Sequence, residues 1–305
     1  MSKKRFNQYL GYLVERPFFA VLYVLLRIAP LSCFLRAGNI LGALVTRLVP
    51  GHRHRIINNL TRAYGNTISR FEKELISRDV TINLFKNFLE VSYTVHRDNQ
   101  PGLITAIRLQ GKEHLDKALQ KGKGVIAVSA HQGNFSIMGL KMRAEGYPFH
   151  TVIREISNPY RNSLYARYQK HLGQSFIPSR SLKHVMRNIL PALRRNEIIL
   201  LIADEHRRHG GIAVTFFDHE DLIAPGPAVL SLRTGAPIVP MFMIRHQDDT
   251  HTLAIQPPLE LPTEKDPRDA AAAITQMIMS CIEQQVRAYP SQWFWTQRRW
   301  QARSD

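Results

Sequence analysis

Two cysteines among 305 residues, Cys33 and Cys281, are too few and too far apart to build a disulfide framework. No CxxC pair occurs, which removes the usual cysteine-based zinc site and fits a reducing compartment. No window holds the roughly 18 to 20 uninterrupted apolar residues of a clean transmembrane span. P-loop, Rossmann fingerprint and GxSxG elbow are all missing, so no cofactor is expected. There is no internal repeat and no low-complexity linker. Acidic residues are also short: 24 against 41 lysines and arginines, a net charge of +17.

What is there makes a folded, basic chain. Apolar residues at 44% and charged residues at 21% exclude disorder and collagen-like sequence. The length buries a full core without metal or disulfides. A charge of +17 favours polyanions: an anionic membrane surface, an acidic protein or nucleic acid. No nucleic-acid motif is present and the basic residues are dispersed, so nucleic acid is not an expected partner.

The first fifty residues differ from the rest. Residues 17–26 (PFFAVLYVLL) carry no charge, Arg27 interrupts, and IAPLSCFL, Arg36 and AGNILGALVT follow. A secretory cleavage site is a poor fit, because Arg36 stands where small residues are needed. One reading is one or two helices lying in a membrane, with Arg16, Arg27, Arg36 and Arg47 reaching to headgroups. The other is a pair of ordinary packed helices. The expected division is a membrane-associating segment over 1–50 and an α/β domain over 51–305.

Beyond them, strand and helix signals alternate. Helical spacing marks 68–97, 111–123, 131–146, 158–173, 181–196 (interrupted by Pro191) and 271–290. Apolar runs mark strands at 124–130, 149–155, 175–178, 197–204, 212–217, 237–245 and 251–257. Alternation of this kind predicts an α/β fold with helices on both faces of the sheet, and sites at the carboxyl ends of its strands.

Two such ends carry chemistry. His131 follows the 124–130 strand directly, within Ser129–Ser136 (SAHQGNFS). It is placed either as a general base or as a hydrogen-bonded turn residue. Gly133 would let backbone approach a ligand, and the helix expected after it would offer N–H groups to an anion. Asp204 and Glu205 end another strand, with Arg207 and Arg208 behind them. The spacing of His206, His209 and His219 matches no standard ligand set, so no metal is expected. The C-terminal stretch PSQWFWTQRRW suits either a membrane interface or phosphate-bearing ligand, or packing of its aromatics on the core.

In these residues the chain resembles the lipid A biosynthesis lauroyl/myristoyl acyltransferase family, which includes the mycobacterial phosphatidylinositol mannoside acyltransferases. The likeness runs over nearly the whole chain. It rests on the apolar N-terminus, Asn59-Leu60, His131-x-Gly133-Asn134-Phe135 and Arg154. It continues through Ala203-Asp204, Gly210-Gly211 with Phe216-Phe217, Gly226-Pro227, residues 234–240 (TGAPIVP), Gln292-Trp293, Trp295 and Arg298-Arg299-Trp300. The resemblance implies a glycerolipid-acyltransferase-like mixed sheet flanked by helices. It implies an enzyme at the cytoplasmic face of the bacterial inner membrane. The donor would be an acyl-carrier protein or acyl-CoA thioester, and the acceptor a lipid. His131 would deprotonate the acceptor hydroxyl, and an acid five positions later would orient it.

At that position this chain has Ser136. A serine hydroxyl can hold the imidazole tautomer but supplies no charge. Three readings follow: another acid, Asp204 or Glu205, substitutes; the acceptor is a stronger nucleophile, such as an amine; or the protein binds lipid or carrier protein without turnover. Gly133, Asn134, Arg154, Arg207 and Arg208 are the expected substrate-binding residues, with Arg161, Arg298 and Arg299 as further basic neighbours of the matched motifs.

Overall fold

Alternate residues of the central strands go to opposite faces of one sheet, and each face carries its own apolar layer. The computed structural model describes residues 17, 20–154, 158, 162, 174–179, 182–207, 210–262, 264, 266–297 and 299. Its helices are α1 (residues 20–28), α2 (Leu31–Leu48), α3 (Pro50–Tyr64), α4 (Arg70–Tyr93), α5 (Gln100–Thr105), α6 (Lys112–Leu119), α7 (Met138–Ala144), α8 (Leu182–Arg194), α9 (Gly226–Thr234) and α10 (Pro267–Ala288). The strands are β1 (Ile107–Gln110), β2 (Val125–Ser129), β3 (Phe149–Arg154), β4 (Ser175–Ser179), β5 (Ile198–Ile202), β6 (Ile212–Phe216), β7 (His219–Ile223), β8 (Ile238–Arg245) and β9 (His251–Ile255).

Seven strands form a mixed sheet in the order β1-β9-β8-β2-β5-β3-β4, and β6 and β7 pair as a separate hairpin. The block β8-β2-β5-β3-β4 is parallel; β9 runs antiparallel to β8. Val125 and Ala127 pack with Ile198, Leu200 and helices α5 to α7 on one face. Ile126 and Val128 pack with Ile199, Ile238 and helices α3, α8, α9 and α10 on the other. Burial on both sides is why these strands read as unbroken apolar runs.

The helical layer beside the site is built on α4. Its start is fixed by a capping box: Ser69 Oγ accepts from the Glu72 N–H, and the Glu72 carboxylate accepts from the Ser69 N–H at 2.7 Å. The buried stripe of α2 is Phe34, Gly38, Gly42 and Thr46, each four residues on, and it lies against α4. A Cβ on Gly42 would stand 2.5 Å from the Ile82 Cα, so only glycine permits that approach. The outer faces of α1 and α2 remain apolar: Val21, Val24, Ile28, Ile40, Leu44 and Leu48 are all exposed. Among the described residues, α2 alone is long and apolar enough to cross a membrane.

Several local expectations are corrected. The predicted helix 131–146 is helical only from Met138; before it come a bridge at Gln132, a turn, and a 3-10 turn over Phe135–Ile137. Pro191 does not break α8. The cost of about 3 kcal/mol for an interior proline is offset by the buried Ile189, Ala192 and Leu193 beside it. Strands β1 and β7 and helix α9 carried too weak a pattern to be foreseen. The predicted helix 158–173 lies almost wholly outside the described residues.

Candidate active site

Two neighbouring strand ends bring an imidazole and a carboxylate together. Ser129 of β2 is opposite Ile202 of β5, and the Ala203 N–H donates to the Ser129 carbonyl at 2.8 Å. The register therefore sets His131 beside Asp204. His131 Nδ1–H donates to Asp204 Oδ1 at 2.7 Å, and the His131 backbone N–H donates to Oδ2 at 3.0 Å. The Asp204 side chain is fully buried; that of His131 is 30% exposed. With Nδ1 spent on the carboxylate, Nε2 has no protein partner among the described residues and is the ring nitrogen that carries a lone pair outward.

The C-terminal segment completes the carboxylate's surroundings. Trp293 Nε1 donates to Asp204 Oδ2 at 2.8 Å, and Arg299 Nη1 donates to the Asp204 backbone carbonyl at 2.7 Å. The Phe294 N–H donates to the His131 carbonyl, and Asn59 Nδ2 anchors the segment through the carbonyls of Trp295 and Gln297. Burial works against both charged forms of the pair. It is outweighed: the charge and hydrogen bond of Asp204 raise the His131 pKa above its ordinary value. The His131 charge and bond, with the charge of Arg299, in turn hold the Asp204 carboxyl below its own.

His131 stands in the wall of a cavity of about 280 Å³. One side of that cavity is the α4 stripe Val80, Leu84, Phe88 and Val91; the other is Phe135, Ser136 and Phe294. Phe135 meets the imidazole edge-on at 5.2 Å between centroids. The exposed lining of the space is mainly apolar, and the imidazole is one of its polar lining groups.

The expected site residues divide. Asp204 reaches His131, whereas Glu205 pairs with Arg154 at 2.9 Å on the surface. Ser136 is exposed on the 3-10 turn, and the bond that orients the imidazole runs to Asp204 instead. Gly133 has both backbone groups bonded: its N–H donates to the Gln292 carbonyl, and its carbonyl accepts from Asn87 Nδ2. A Cβ there would stand 1.9 Å from the Met243 carbonyl oxygen, so the close approach to β8 requires glycine, and Gly133 also lines the cavity beside His131. Asn134, also in the cavity wall, donates to Glu90 Oε2 at 2.7 Å. No helix N-terminus follows Gly133 to hold an anion, since α7 begins at Met138. Arg207 is exposed, and its backbone N–H donates to the Leu222 carbonyl. Arg208, Arg161, Arg298 and Trp300 lie outside the described residues. Arg299, expected at a phosphate, is buried. The aromatics Trp293 and Trp295 pack inward.

Beneath the His131 turn lies a buried polar cluster that sequence reasoning missed. Glu90 receives both Arg245 Nη1 and Nη2, at 2.8 and 2.6 Å, and sits 3.0 Å from His251 Nε2. Burial would raise the Glu90 carboxyl, but His251 and Arg245 hold it down at about 2. The available signal was a single charge inside each of two apolar stretches, Glu90 in α4 and Arg245 at the end of β8.

The sequence model described as bacterial lipid A biosynthesis acyltransferase matches residues 3–302. The chain belongs to this family. Among its relatives is a phosphatidylinositol mannoside acyltransferase of Mycobacterium tuberculosis, 29% identical over 196 residues, which are 63% of this chain and 59% of that protein. The Mycolicibacterium smegmatis protein of the same name is 26% identical over 189 residues, 62% of this chain and 60% of the relative. A lipid A biosynthesis acyltransferase of Haemophilus influenzae is 23% identical over 198 residues, 64% of this chain and 59% of the relative. The chain thus spans about three fifths of the length of the relatives it matches.

Proposed function

We propose that this family member is a membrane-surface acyltransferase that moves a fatty acyl chain from a thioester to a lipid hydroxyl, with His131 as general base and Asp204 as its orienting acid. The observation that carries this reading is the 2.7 Å bond between His131 Nδ1 and a fully buried carboxylate, in the wall of a mainly apolar cavity. In the reaction, Nε2 takes the acceptor hydroxyl proton as the oxygen attacks the thioester carbonyl carbon. The tetrahedral intermediate collapses with loss of the C–S bond, and the proton on Nε2 passes to the departing thiolate. Asp204 holds the tautomer and stabilises the imidazolium between those steps. The charge expected five residues after the histidine is thereby supplied from the next strand, and Ser136 is left with no charged role. This favours turnover over an inactive lipid- or carrier-binding relative.

The apolar cavity takes the start of the acyl chain. Arg154 and Arg207 form the polar side for the acceptor. An acidic carrier protein or acyl-CoA suits a +17 chain as donor. The exposed apolar faces of α1 and α2, with Arg27, Arg36 and Arg47 beside them, rest on an anionic membrane. Cytoplasmic thioester donors put the site at the cytoplasmic face of the bacterial inner membrane.

The test is an acyl-transfer assay in detergent, with acyl-carrier-protein and acyl-CoA donors, a total lipid extract, and mass-spectrometric detection. An acylated lipid formed by wild type and absent with His131→Ala supports the reading. Equal product from His131→Ala, or none from any donor by a folded wild type, overturns it.

A further inference from the structure

A second histidine at the same end of the sheet repeats the first one's arrangement. His206 lies two residues past Asp204, so their Cα atoms are at most about 7 Å apart. Its Nδ1 is 2.6 Å from Asp221 Oδ1, on β7. The Asp221 side chain is 1% exposed and that of His206 33%. Asp221 also accepts from Arg299 Nε at 2.5 Å and from the Leu222 N–H at 2.8 Å. Arg299 thus joins the two aspartates, through the carboxylate of one and the main chain of the other, while its guanidinium stacks 4.4 Å from the Phe216 ring centroid. As with His131, the Nδ1 bond turns Nε2 outward.

The two histidines do not share one task. His131 is a wall of the apolar cavity; His206 is not, so it does not meet a thioester carbonyl seated there. In the chain it is flanked by Glu205, which is paired with Arg154, and by the exposed Arg207. Glu205 is the single carboxylate among these surface neighbours, and Arg154 occupies it. A ring whose Nδ1 is held by a buried carboxylate presents its Nε2 edge to a ligand, and arginine adds a fork of donors suited to phosphate oxygens.

We propose that His206, held by Asp221, forms with Arg207 a seat for the phosphate ester of a substrate, beside the His131–Asp204 pair. The acyltransferase reading is needed only to say whose phosphate it is: the acceptor's headgroup sits on this polar side, and the alternative source is the donor's phosphopantetheine.

Two measurements test it. In protein carrying ring-labelled histidine, with the His206 signal assigned by its loss in His206→Gln, glycerol 1-phosphate is titrated in. The His206 signal shifts saturably, and the apparent Kd rises about 10-fold in Arg207→Ala, whose exposed side chain leaves the fold unaffected. In the transfer assay, His206→Gln raises KM for a phosphorylated acceptor about 10- to 100-fold, with kcat within about threefold, and leaves an unphosphorylated analogue unchanged. A rise in the donor's KM alone retains the seat and gives it to phosphopantetheine. An unmoved His206 signal overturns the proposal, as does a collapse of kcat at constant KM, which would make His206 a second base. If wild type shows no turnover, the acyltransferase reading fails, and the titration still decides the seat.

Discussion

The indole N–H of Trp293 donates, at 2.8 Å, to the carboxylate that orients His131. One oxygen of Asp204 serves the imidazole and the other serves the indole, so the C-terminal segment tunes the pair as well as covering it. Trp293→Phe keeps most of the packing and removes the donor. Asp204 then becomes more basic and holds the imidazolium more tightly. The acid limb of the kcat/KM profile should move to higher pH, with kcat falling about tenfold. A loss of Tm with the limb unmoved would mean that Trp293 only packs.

Asp204 and Ser136 make opposite predictions. Asp204→Asn should lower kcat by about 10²–10⁴, the scale set by neutralising the orienting acid of a protease triad. Ser136→Ala should stay within about threefold of wild type. Equal losses in the two variants, measured with one donor and one acceptor, would return the orienting role to position 136.

The pH dependence of the pair has a worked sign. His131 has its folded pKa raised above about 6.5, the unfolded value. Its contribution to stability is therefore full below about pH 6.5 and is lost as pH rises through the folded pKa. With His131 as the proposed general base, activity needs the neutral ring and should rise across the same window. Asp204, whose folded pKa is lowered, contributes above about pH 3.9 and loses its contribution as pH falls through the folded value. Denaturation midpoints and kcat/KM, followed together from about pH 5.5 to 9, should move in opposite directions in wild type. In Asp204→Asn the activity limb should shift to lower pH.

Glu90 holds the floor of the site. It is fully buried with Arg245 and takes Asn134 Nδ2, so the turn carrying His131 is tied to it. Glu90→Gln leaves a buried guanidinium without its counter-ion, which should cost about 3–5 kcal/mol in chemical denaturation. A loss below about 1 kcal/mol would show that Asp249, 3.1 Å from Arg245 Nη1, suffices alone.

The legible parts of the molecule are those whose pattern is local. β2, β5 and β8 showed themselves as unbroken apolar runs because both their faces are buried, and His131 and Asp204 stood out as polar residues ending two of them. β1 (IRLQ) and β7 (HEDLI) are polar and lie at a sheet edge or in a hairpin, so neither carried a strand signal. Phe135, Met138 and Met142 have helical spacing, yet residues 132–134 are not helical. Gly133 is held there by Gln292 and Asn87, contacts from distant segments that spacing does not record. The same holds for the partners of Asp204: Trp293 and Arg299 stand 89 and 95 residues away, and only the fold brings them in. Serine at position 136 left three readings open, and the strand register sets Asp204, not Glu205, against His131.

Membrane contact is the remaining reading with a direct measurement. Ile40, Leu44 and Leu48 repeat every four residues on the side of α2 opposite its buried stripe, and all three are exposed. Leaving such side chains in water forgoes about 1.5–3 kcal/mol each if a membrane would bury them fully. Wild type should float with vesicles containing anionic lipid, and more weakly as salt is raised, because Arg27, Arg36 and Arg47 add a screened attraction. Replacing Ile40, Leu44 and Leu48 together by serine leaves the α4 contact intact and should reduce flotation at least tenfold. Unchanged flotation would remove this face from the interface. Wild type that resists extraction by high salt and alkali would show that α2 crosses the bilayer. It would then have to leave its stripe on α4, and Gly42 against Ile82 would no longer be the contact that fixes it.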